Sequence, residues 1–296
     1  MFIGKRTFLI MLVLATCLIG CTAPVTPSPT QTPEQTTSTI TPTDKPVATE
    51  LPSADSETCK DSGGTISKSS LPSALLGTDL EFSIYLPPCY NPDEVDGYPV
   101  LYLLHGQSAN DSLWLELGVD QLADEIILGG ESRPFIIVMP VEKNYLADLN
   151  ETQYPNAIAL ELVPHIDQEY PTCADRDCRA IGGISRGAAW AVNITFSYRE
   201  LFAYVGAHSP AIFSADLARL PVILKNDPQG LRPVIYLDSG DQDAYLRSAK
   251  DLEIILMDYG VPHEWHQNIG THNFDYWLSH VSEYLRWYAS HWPLVK

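Results

Sequence analysis

A serine hydroxyl attacks an ester only when it is exposed, next to a base and beside an oxyanion site. Gly183-Ile184-Ser185-Arg186-Gly187 lies between an apolar stretch and an Ala-rich one, which is how a strand-to-helix nucleophile turn reads. Its glycines permit tight backbone approach, and the helix N-terminus favours developing negative charge. The bland alternative is a Gly-rich structural turn; the strand before and the helix after favour Ser185 as a nucleophile. The amide of the following residue, Arg186, would supply one oxyanion donor. Leu103-Leu104-His105-Gly106-Gln107 ends an earlier apolar strand with a glycine where backbone must approach substrate, so the Gln107 amide is the candidate second donor. His105 reads as a loop-shaping residue, because the base should follow the serine in this chain order.

The acid is sought first, and Val234–Leu237 runs into Asp238-Ser239-Gly240-Asp241-Gln242-Asp243, where three carboxylates compete. Asp243, past the turn glycine, is favoured; Asp241 is second and Asp238, a strand-end residue, third. For the base, Gly270-Thr271-His272-Asn273 offers His272 in a loop. His263 and His266 fall on opposite faces of a strand, and His280 and His291 on a final helix. His208, after the strand that follows the nucleophile helix, is a candidate substrate contact.

These residues need a scaffold, and the sequence alternates short apolar runs with amphipathic stretches, as an α/β parallel sheet with helical crossovers does. Strands are expected at Leu80–Leu86, Val100–His105, Phe135–Met139, Arg179–Gly183, Ala203–Ala207, Val234–Asp238 and Pro262–Asn268. Helices are expected at Val119–Leu128, Ala157–Tyr170 (kinked or shortened by Pro164), Ala188–Phe196, Asp243–Tyr259 and Phe274–Trp287. Ser209–Arg232 is less regular and reads as a surface connection, with a lid or pocket wall as the alternative.

The 296 residues suit one main catalytic domain. A net charge of −19 would repel a polyanionic backbone, so no nucleic-acid partner is expected. At the N-terminus, Lys5 and Arg6 precede an apolar run, Phe8–Ile19, too short to span a bilayer comfortably. The run closes on Leu18-Ile19-Gly20-Cys21, which resembles a bacterial lipobox. Residues 1–20 are therefore expected to be a lipoprotein signal and Cys21 the lipidated mature N-terminus, holding the protein to the outer face of a membrane. Residues 21–57, rich in Thr, Pro and Ser, read as a disordered tether, and 58–296 as the catalytic domain. Of the cysteines then left, Cys59, Cys89, Cys173 and Cys178 allow three pairings; the local pair Cys173–Cys178, with Cys59–Cys89, is preferred. No metal-ligand spacing surrounds them.

With Leu103-Leu104-His105-Gly106, the Ser185 pentapeptide, Gly240-Asp241-Gln242-Asp243 and Gly270-Thr271-His272 in order, the chain resembles the esterase D-like esterases. That family includes feruloyl and enterochelin-type esterases, S-formylglutathione hydrolases and mycolyltransferases. The similarity runs from about Leu80 to Tyr288 and takes in Asp111, Trp114 and the Pro134–Pro140 region. It implies an α/β-hydrolase fold, a triad of Ser185, Asp243 and His272, oxyanion amides at Gln107 and Arg186, and a substrate contact at Trp114. No cofactor is implied, and the expected partner is a small-molecule or carbohydrate ester, with no obligate protein partner evident. Many members carry Met where this chain has Arg186, which leaves the donated backbone group in place but alters the pocket edge. An acyltransferase and a non-catalytic carbohydrate- or envelope-binding protein are the rival readings.

Overall fold

In the computed structural model, residues 60–147, 151–227 and 231–294 are described, all within one unit spanning Ser56–Lys296. The expected signal, the tether and Cys21 lie outside them. The elements run β1 (Thr65–Ser73), β2 (Thr78–Leu86), β3 (Val100–Leu104), α1 (Leu113–Glu116), α2 (Val119–Leu128), β4 (Ile136–Pro140), α3 (Tyr154–Ala157), α4 (Val163–Glu169), β5 (Arg179–Ile184), α5 (Arg186–Ser197), β6 (Tyr204–His208), α6 (Ser214–Lys225), β7 (Val234–Gly240), α7 (Leu246–Asp258), β8 (His263–Asn268) and α8 (Phe274–Ser290). One eight-stranded sheet has the order β1-β2-β4-β3-β5-β6-β7-β8. β2 pairs antiparallel with β1 and β4, and all other pairings are parallel.

The central strands are apolar throughout because both faces are covered. Val100, Tyr102 and Leu104 join a core with α3, α4, α5, α6 and α7, whereas Leu101 and Leu103 join a second core with α1, α2 and α8. α5 is buried nearly all round, and its alanines let it lie close on β5 and β6.

Several elements depart from the sequence pattern. β1, exposed at its first six residues and rich in Ser, Thr and Lys, carries no apolar alternation and was not expected. Ser214–Lys225 is helical with Pro221 inside it, where the sequence suggested an irregular connection. Pro164 neither breaks nor shortens its helical segment; a π-helical turn, Ile158–Leu162, joins α3 to α4 immediately before it. α7 starts three residues later than expected because the Asp243 carboxylate accepts the Tyr245 N–H at 2.7 Å instead of opening the helix. Cys173 and Cys178 form a disulfide. Cys89 is also disulfide-bonded, and Cys59 lies outside the described residues.

Candidate active site

The parallel strands end on one side of the sheet, where β3, β5, β7 and β8 deliver the loops bearing Gln107, Ser185, Asp243 and His272. Ser185 has φ 57° and ψ −115°, a conformation a non-glycine residue holds only when its surroundings over-determine it. Its N–H is taken by the His208 carbonyl at 2.9 Å, and its own carbonyl accepts the Ala189 N–H at 3.1 Å. Gly187 makes the turn possible: a Cβ there would stand 2.5 Å from the His105 carbonyl oxygen.

His272 Nε2 stands 2.8 Å from Ser185 Oγ. Its Nδ1 lies 3.1 and 2.9 Å from the two oxygens of Asp243, whose side chain has no solvent exposure. Burial pushes the Asp243 carboxyl up, but the His272 hydrogen bond, the Tyr245 amide and the His272 charge together hold it below the ordinary carboxylate range. Tyr245 and Trp277 meet the His272 ring edge-on, with centroids 4.8 and 5.2 Å away.

The rival carboxylates have other partners. Asp241 accepts the Gly270 N–H at 3.0 Å and so ties down the loop that carries His272. Asp238 is fully buried and accepts from Tyr276 and Tyr284, each at 2.7 Å, and lies 2.9 Å from His208 Nδ1.

Arg186 is the first residue of α5, where amides have no intrahelical acceptor, and the Gln107 N–H has no protein acceptor among the described residues. The Gly106 backbone packs against Ser185: a Cβ at Gly106 would meet the Ser185 Cβ at 3.7 Å. The Arg186 side chain turns inward to Glu142, with Nε to Oε2 at 2.8 Å and Nη2 to Oε1 at 2.7 Å, and lies over the rings of Trp190 and Phe213. Glu142 also lines a cavity of about 320 Å³ walled by Leu75, Asp79, Asn144, Gln153 and Tyr154.

The two expected substrate contacts, Trp114 and His208, are both buried. Trp114 is buried and donates its indole N–H to the Leu104 carbonyl at 3.2 Å. His208 has no exposed surface; its Nε2 lies 2.9 Å from the Tyr288 hydroxyl and its ring stacks on Tyr284. Trp114, on α1, and His208, at the end of β6, both turn their side chains into the core. Glu142, Tyr245 and Trp277 were not singled out from the sequence. An arginine opening a buried helix calls for a counter-charge, but nothing in the sequence near it points to Glu142.

The family model described as "Putative esterase" matches residues 73–288, and the chain belongs to this esterase family. It is 29% identical over 171 residues to an endo-1,4-beta-xylanase/feruloyl esterase of Xylanibacter ruminicola, covering 54% of this chain and 22% of that relative; it thus spans under a quarter of that protein's length. It is 22% identical over 223 residues to an acetyl esterase of Caldicellulosiruptor saccharolyticus, covering 63% of this chain and 82% of the relative. Among solved structures, a ferulic acid esterase superposes with TM-score 0.68 at 24% identity, covering 78% of this chain and all of the other. An S-formylglutathione hydrolase of Staphylococcus aureus gives 0.62 at 20% identity, covering 76% and 98%. The fold is that of the α/β-hydrolases.

Proposed function

We propose that this esterase is an exported, lipid-anchored serine hydrolase that cleaves carboxylic esters through an acyl-enzyme on Ser185. The reading is carried by the unbroken line of hydrogen-bond distances from Ser185 Oγ through His272 to Asp243. His272 Nε2 takes the Ser185 proton as Oγ attacks the ester carbonyl. The amides of Gln107 and Arg186 bind the oxyanion, and His272 returns the proton to the departing alcohol. Water then repeats the sequence and releases the acid. Asp243, held ionised, keeps Nδ1–H in place and stabilises the imidazolium.

Acyl groups carried on carbohydrates, of the feruloyl or acetyl kind, are the favoured substrates. The names of the two curated relatives support this. Ser185→Ala should lower p-nitrophenyl acetate turnover by about 10⁴-fold and abolish labelling by a fluorophosphonate probe. A Ser185→Ala protein with near-wild-type turnover would end the proposal.

A further inference from the structure

Two separate hydrogen-bond systems converge on Glu142, just after β4, from the two oxyanion candidates. The first runs through its backbone. The Glu142 N–H donates to His105 Nε2 at 2.9 Å, so that nitrogen must be the unprotonated one. The proton therefore sits on Nδ1, which donates to the Gly106 carbonyl at 2.7 Å. Gly106 C=O and Gln107 N–H belong to one trans peptide and point in opposite directions. Fixing the carbonyl on His105 thus fixes the Gln107 N–H on the other side. His105 is buried, and desolvation pushes its ring below the ordinary histidine value, which keeps it neutral and able to accept at Nε2.

The second system runs through the carboxylate. Both Glu142 oxygens hold the Arg186 guanidinium, and Oε2 also accepts the Trp190 indole N–H at 3.0 Å. Arg186 and Trp190 are one helical turn apart on α5, so the carboxylate clamps the first turn of that helix, whose leading amide is the other donor. Glu142 and Arg186 are both buried, and a buried charge pair is seldom kept for stability alone.

We infer that Glu142 and His105 are positioning residues of the oxyanion hole: one residue after β4 sets the orientation of both donor amides, one through the His105 ring and the other through the Arg186 side chain. The inference rests on the serine-esterase reading above. It adds a role for the Arg186 side chain.

A damaged oxyanion hole slows an ordinary ester more than its thionoester, because thiocarbonyl sulfur is a poor hydrogen-bond acceptor and gains less from the hole. A general loss of structure slows both alike. The test compares kcat and KM for a p-nitrophenyl ester and its thionoester in Glu142→Gln, His105→Ala and His105→Asn. Glu142→Gln and His105→Ala should each lower ester kcat by about 10- to 100-fold, with KM changed less than about 3-fold and the ester-to-thionoester rate ratio falling with kcat. His105→Asn, whose amide N–H can still reach the Gly106 carbonyl, should recover part of the ratio lost in His105→Ala. An unchanged ratio in both primary variants, or His105→Asn as impaired as His105→Ala, would overturn the inference. If Glu142→Gln does not fold, the two His105 variants decide alone. Ser185→Ala is the control: retained turnover there would sink the serine mechanism rather than the positioning role.

Discussion

The Ser185 N–H rests on the His208 carbonyl at 2.9 Å, while the His208 ring turns down to Asp238 in the fully buried layer below. The turn at Ser185 thus stands on a polar floor. Asp238 accepts from Tyr276, Tyr284 and His208 at once, and burial beside that carboxylate pushes the Tyr276 and Tyr284 hydroxyls well above their ordinary value, so both remain donors. Asp238→Ala would leave two hydroxyls and a ring nitrogen buried without an acceptor. We predict a loss of about 3–5 kcal/mol in urea denaturation. A change under about 0.5 kcal/mol would show that the floor contributes little.

This layer also marks where sequence reasoning stops. β3, β4, β5 and β7 are legible because strands covered on both faces must be apolar runs. β1 is not, since an edge strand paired on one side and wet on the other needs no pattern. α6 is hidden by Pro221. The candidate site residues fall on loops that strand order brings together, so Ser185, Asp243 and His272 could be named in advance. Which way a side chain points is a different matter. His208 and Trp114 look like pocket residues by type, yet both turn into the core, and Glu142 meets Arg186 across 44 positions with no local signal.

Asp243 should show itself in both rate and pH dependence. Asp243→Asn removes the acceptor that holds the His272 tautomer, and kcat should fall by about 10⁴-fold. Its carboxyl is lowered in the folded state, so its stabilising contribution is complete above the unfolded value of about 3.9 and is lost as pH falls through the folded one. The stability gap between wild type and Asp243→Asn should therefore narrow on acidification from about pH 5. Parallel denaturation curves at every pH would contradict the assigned shift.

Gly187 and Gly106 should respond differently to alanine. At Gly187 the added methyl meets the Leu104 and His105 carbonyl oxygens, both backbone, so α5 must move away from the end of β3. We expect a cost of about 1–3 kcal/mol and a fluorophosphonate labelling rate lowered by at least about tenfold, as overpacking shifts the turn. At Gly106 the methyl meets only atoms at 3.6 and 3.7 Å, an ordinary contact, and stability should be nearly unchanged. Equal melting temperatures for the two variants would refute this distinction.

The proposed anchor can be tested apart from the site. Thr65, where β1 begins, pairs with Leu86, and Tyr85 pairs with Ile137 near the start of β4, so the chain enters the domain at the strand ends opposite Ser185. Under the proposed reading, lipidation at Cys21 acts on location alone. Cys21→Ala should abolish metabolic labelling by a fatty acid and release the protein from the membrane fraction, with kcat/KM on a soluble ester within about 2-fold of wild type. Membrane fractionation that survives this substitution would rule out the anchor. A large fall in soluble-ester turnover would instead show that the lipid end takes part in the site.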